Sequence, residues 1–296
     1  RSRVFENCAA MKYVDMSACA EVLMIPGEMF SGCISVETLL LPPNLESIPN
    51  FAFGNWNRYG ALKNGLVKLK EIVIPASVTS IGGFAFDGME SLETVIFEES
   101  SAITQMGVAE VQSDNIAYGR NIFANTPALK SVVLPKNLTT IGIGCFENSG
   151  VQDVNLPSNI AVIGARAFKN CDNIVDAGLS AALQYLGDEA FAECDKLEIA
   201  ELAFGLEYLG SKAFAYCPQL KKAYIPATVT SISGNPFMGC SGVESFELDP
   251  DNSSFTVVDG VLYDKTMYTL LYYPASLTDE SFAFPASVHE IAPGAF

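Results

Sequence analysis

The sequence predicts a right-handed solenoid of the β/α type, with a curved parallel β-sheet on its concave face and short extended pieces and helical or 3₁₀ turns on its convex side. Three observations carry this. A phenylalanine recurs with a period of 23 residues, and apolar residues keep fixed offsets from it in unit after unit. A unit that short cannot close a core of its own, so stacked copies must bury one another.

With anchors at Phe5, Phe30, Phe53, Phe86, Phe123, Phe146, Phe168, Phe191, Phe214, Phe237 and Phe296, the steps are 25, 23, 33, 37, 23, 22, 23, 23, 23 and 59. The three long steps read as one repeat plus insertions of 10, 14 and 36 residues. One domain of about eleven units therefore spans 1–296, with insertions at about 54–66, 98–119 and 249–278. Length alone would suggest two globular domains; the repeat overrides that estimate.

Within a unit, the alternation Leu39-x-Leu41 reads as a short strand whose two apolar side chains face one way. Pro42 ends it, because proline cannot donate to a ladder. Val78-x-x-Ile81-Gly82 reads as a second extended piece, with glycine permitting the bend that follows. The Ala167-Phe168-x-x-Cys171 segment then reads as a helical or 3₁₀ turn. At about 4.8 Å per strand, some ten first strands make a sheet roughly 50 Å long.

The run Leu69-Lys-Glu-Ile72-Val-Ile74-Pro75-Ala-Ser-Val78-Thr-Ser-Ile81-Gly82-Gly-Phe-Ala85-Phe86 resembles the BspA-like class of leucine-rich repeats, and the likeness extends over the whole chain. The resemblance implies a leucine-rich-repeat solenoid, a β-hairpin in the insertion at about 249–278 and a place in microbial cell-surface proteins. It also implies an extracellular or cell-surface location, with any anchor outside this chain, and a role in adhesion or protein binding.

Composition narrows the function. Lys and Arg total 17 against 34 Asp and Glu, a net charge of −17, and clustered cations for nucleic acid are missing. Apolar types reach 49%, which excludes disorder. No apolar run approaches the roughly 18 residues of a membrane span. The chain starts and stops inside a repeat, so a piece of a longer protein is expected.

Eight cysteines invite a disulfide reading. Six of them, Cys8, Cys33, Cys171, Cys194, Cys217 and Cys240, stand three residues after an anchor, where other units hold Trp56, Met89, Thr126 or Ser149. A position that accepts such substitutes is a packing slot, so a ladder of buried thiols is expected.

No motif for catalysis or a cofactor is present: there is no P-loop, no G-x-S-x-G and no H-E-x-x-H. The single histidine, His289, reads as a solvent-facing strand residue. Asp249-Pro-Asp251-Asn-Ser253 mimics the opening of a calcium loop, but Ser254 and Gly260 stand where glycine and glutamate are required, so a turn is the better reading. Asn137 and Asn252 match the glycosylation triplet by chance. No enzyme, metal or cofactor is expected.

If offsets nine and eleven after the anchor are buried, offsets eight and ten point out of the concave sheet. The offset-ten row is Leu40, Val73, Ile96, Val133, Asn155, Gly178, Glu201, Tyr224 and Glu247. Its first four members form an apolar strip, and the rest is mostly polar, with Glu201 and Glu247 as its charges. A strip of this kind is either covered, with the insertions after Phe53 and Phe86 as candidates, or it binds a partner. Leu40, Val73, Ile96, Val133 and Tyr224 are therefore the candidate contacts for a host or microbial surface protein. The tyrosines of the last insertion, Tyr263, Tyr268, Tyr272 and Tyr273, either pack on the solenoid or form a second contact. A carbohydrate-binding surface protein is the competing reading; it requires exposed aromatic platforms.

Overall fold

The computed structural model describes residues 4–55, 65–108, 119–152, 155–243, 245–274, 277 and 280–296. First strands of the repeats are β1 (Tyr13–Asp15), β2 (Thr38–Leu40), β4 (Glu71–Ile74), β6 (Thr94–Phe97), β8 (Ser131–Val133), β13 (Lys222–Ile225) and β15 (Ser245–Leu248). Second strands are β3 (Ser47–Ile48), β5 (Ser80–Ile81), β7 (Gln105–Met106), β9 (Thr140–Ile141), β10 (Val162–Ile163), β11 (Tyr185–Leu186), β12 (Tyr208–Leu209), β14 (Ser231–Ile232) and β19 (Glu290–Ile291). Strands β16 (Phe255–Val258), β17 (Val261–Asp264) and β18 (Thr269–Tyr272) lie in the last insertion.

The core is a spine of anchor rings. From Phe5 to Phe237 consecutive rings have centroids 4.8–6.0 Å apart and are stacked, except for the tilted pairs Phe30–Phe53 and Phe53–Phe86. The column then turns onto Phe246 and Tyr272. Phe296, read above as the last anchor, is not part of it. Its ring is 64% exposed and lies against Tyr273, because the inserted meander, not a further coil, occupies the end of the spine.

Among the described residues there is no helix, which corrects the helical reading of the convex turns. Backbone conformation explains it. Arg166 and Asn170 flank Phe168 at φ 56° each, and Glu189 and Glu193 flank Phe191 at 55° and 61°. Left-handed residues two before and two after the anchor interrupt any run of helical dihedrals. The N–H groups alternate accordingly. Those of Arg166, Phe168 and Asn170 donate to the Asp188, Ala190 and Ala192 carbonyls of the next repeat, each at 2.8 Å, whereas Ala167 and Lys169 close turns within their own unit. The anchor segment is thus a third lateral ladder.

The expected single sheet of first strands is divided. Strands β1 and β2 pair, β4, β6 and β8 pair in register, and β13 pairs with β15, all parallel. Between these blocks only Asp176 and Ile199 are bridged among the described residues. Gly178, at φ 57° with its N–H turned onto the Asp176 carboxylate, ends one strand early. The longer sheet is the second-strand one, six parallel strands in the order β14-β12-β11-β10-β9-β7. Its repeat glycine serves close approach and not the bend expected of it: a Cβ on Gly210 would stand 2.4 Å from the Gly187 backbone.

In the last insertion, β16 and β17 form an antiparallel hairpin closed by Asp259 and Gly260, both at positive φ, as the twist of a two-residue hairpin requires. Strand β18 adds antiparallel to β17 and parallel to β19, so the three-stranded meander and the last second strand form a four-stranded sheet of their own. Tyr263 is buried with Val261, Leu270 and Ala295, and Tyr272 enters the main core. Tyr268 remains exposed, stacked 4.9 Å from exposed His289.

All eight cysteines are free. Cys171, Cys194, Cys217 and Cys240 fill the slot, and each thiol donates to the anchor carbonyl of the preceding repeat at 2.9–3.2 Å. Cys33 does the same to Phe5. Cys8 departs from the slot reading: it is exposed, since the first repeat has a neighbour on one side only among the described residues. Trp56 lies outside the described residues.

Candidate interaction face

The offset-ten row is assembled by strand register. Val73, Ile96 and Val133 are direct Cα partners across β4, β6 and β8, while Ile72, Val95 and Val132 between them point into the core. Val73 is 40% and Val133 52% exposed, and Ile96 between them is half-buried. These three make one continuous aliphatic ridge. Leu40, equally exposed, lies beyond the opening between β2 and β4, where a cleft of about 420 Å³ is lined by Leu40, Val73, Pro43 and Pro75. Asp15 stands beside Leu40 in β1, so the ridge ends on a carboxylate.

A charged border runs along the start of these strands. Glu93 accepts from both Lys70 and Lys130 at 3.0 Å, and these bonds hold its carboxyl below the usual range. The border leaves the ridge as the apolar part of that face. Of the insertions proposed to cover it, at about 54–66 and 98–119, residues 56–64 and 109–118 lie outside the described residues.

Tyr224 is not brought to this ridge. It sits on β13 opposite Glu247, half-buried, with its hydroxyl donated to the Asp249 carboxylate at 2.6 Å. Asp249 also accepts from the Asp251 N–H, so this carboxylate organises a turn. Among the described residues no group of three or more His, Cys, Asp or Glu side chains is placed to hold a metal ion.

One feature escaped the sequence reading. Phe204 is 72% exposed and meets Tyr224 edge-on at 6.2 Å, over a second cleft of about 530 Å³ between Leu202 and Tyr224. The signal was present: Phe204 occupies the place after the strand where other repeats carry Pro43, Ala76, Lys136 or Ala227. A large aromatic in a row of small and polar residues has no packing role in the repeat.

A family model described as the BspA type leucine rich repeat region matches the chain in six copies, over residues 1–94, 58–109 and 116–244. The chain belongs to this family. No curated protein matches the BspA-type chain. Solved structures similar to it include a leucine rich cell surface protein from Faecalibacterium prausnitzii (23% identity, 90% of this chain and 57% of that one, TM-score 0.49). Pneumococcal vaccine antigen PcpA is similar at 22% identity, over 85% of this chain and 48% of that one, with TM-score 0.41. A leucine-rich repeat protein from Bacteroides ovatus matches at 20% identity, over 83% and 78%, with TM-score 0.46. The chain spans about half the length of the first two. Among the described residues no helix of this BspA-type chain is long and apolar enough to cross a membrane.

Proposed function

We propose that this chain is a non-catalytic repeat scaffold, secreted or displayed at a microbial surface, which binds another protein through the face of its first strands. The observation that carries the reading is the ridge of Val73, Ile96 and Val133, three aliphatic side chains in register on a sheet whose borders are charged. β-Branched residues in neighbouring strands form a preformed apolar surface; removing it from water contributes about 25 cal/mol per Å² before the costs of association, and no loop has to be ordered. Leu40 across the cleft extends the surface, and Tyr224 contributes at a separate point. Family membership supports the surface location, and the buried, stacked anchor rings supply the rigidity.

The test is binding to a panel of purified extracellular-matrix and microbial surface proteins, before and after the double substitution Val73→Asp and Ile96→Asp. Loss of a saturable interaction with retained thermal stability is expected. Binding unchanged by the double variant eliminates the ridge as the contact.

A further inference from the structure

The second cleft has a chemistry of its own. Along the outward row Tyr224 stands between Glu201, across the opening, and Glu247, its Cα partner in β15. Its hydroxyl is committed to Asp249, so the phenol ring is held in place and its O–H is not offered to a ligand. Phe204 leans against that ring at 68° and turns the rest of its surface to solvent. The hydrogen bond to Asp249, then burial, and then the charges of Asp249 and Glu247 raise the Tyr224 hydroxyl above its usual range. Lys221 and Lys222 bound the cleft at the start of β13, two to three residues before Tyr224.

The backbone is open at the same place. Among the described residues no hydrogen bond joins the 198–202 segment to β13, whereas β13 is fully paired to β15 on its other side. A strand edge without a neighbour accepts an extended chain.

We propose that this cleft seats a single arginine side chain of an extended segment of a protein partner, laid against Phe204 between Glu201 and Glu247. A planar guanidinium stacks on an aromatic face while its fork binds carboxylates, a combination that lysine's point charge does not reproduce. Lys222, on the same strand face two residues earlier, repels a second cation, so an isolated arginine is preferred to a polybasic run. This site is separate from the Val73–Val133 ridge, and each stands or falls without the other.

The probe is a fluorescein-labelled extended peptide of serines and valines with one central arginine, titrated by anisotropy against the full chain. Saturable binding is expected, weakened about tenfold by Phe204→Ala and by the pair Glu201→Gln with Glu247→Gln. Glu71 and Glu98 line the first cleft, and the pair Glu71→Gln with Glu98→Gln makes the same change in net charge there and should leave affinity within about twofold. The substitutions Val73→Asp and Val133→Asp should also leave it unchanged. Phe204→Leu, which keeps apolar volume without a ring face, decides the aromatic contact if Phe204→Ala alters the thermal midpoint. Equal weakening by the two glutamate pairs overturns the proposal in favour of diffuse attraction. Equal affinity for a citrulline peptide overturns the charge requirement. A neutral oligosaccharide that binds in a Phe204-dependent way while the arginine peptide does not would make the cleft a glycan site and sink the proposal.

Discussion

Asn125 donates its side-chain N–H to the carboxylate of Asp87 at 2.7 Å. Asn148 donates to Asn125, and Asn170 to Asn148, each at 2.9 Å, so a ladder of amides runs across four repeats and ends on a buried acid. Burial pushes the Asp87 carboxyl up to about 6 despite the Asn125 bond, with Glu147 adding to the rise. The folded chain therefore holds this proton more tightly than the unfolded one. Stability from this group is fully present below about pH 4 and is lost as pH rises through about 6, on the order of 2–3 kcal/mol in all. Urea midpoints at pH 4.5 and 7 should show this fall in the parent relative to Asp87→Asn, whose amide can still accept from Asn125. An identical pH response in both would count against it.

The thiols divide by exposure. Burial raises Cys171 and Cys240 to about 12, which leaves them without thiolate at neutral pH. A chromogenic disulfide reagent should label Cys8 and Cys19 in the native protein and all eight cysteines after denaturation. Rapid native labelling of a third would contradict the slot geometry.

Asn252 is buried and ties the meander to the solenoid. Its amide N–H groups donate to the Pro226 and Val229 carbonyls at 2.8 and 3.2 Å, and its oxygen accepts from the Ser254 and Phe255 N–H groups, both at 2.9 Å. Asn252→Ala leaves these groups unpaired and should cost roughly 2–3 kcal/mol in chemical unfolding. The same burial argues against a glycan on this triplet.

The anchors differ in what they hold. Phe168→Ala opens a cavity in the middle of the spine and should cost about 3–5 kcal/mol. Phe296→Ala, at an exposed ring, should change the thermal midpoint little. Comparable losses for the two would place Phe296 in the spine after all.

The repeat, its anchors and the outward row were legible because each depends on residue type at a fixed offset, and side-chain alternation along a strand then follows from backbone geometry. Even the left-handed turns left a trace, in asparagines two residues after Phe123, Phe146 and Phe168. What periodicity cannot express is departure from itself. The openings beside β2 and β13, the clefts they create and the pairing of Phe204 with Tyr224 arise where neighbouring coils fail to hydrogen-bond, and that failure belongs to two repeats together. Likewise Phe296 carries the anchor's identity but not its environment. The sequence by itself determined that similar short units lean on one another through a phenylalanine spine; only the tertiary structure decided where that stack is interrupted, because burial and ladder pairing depend on which chain segments become neighbours.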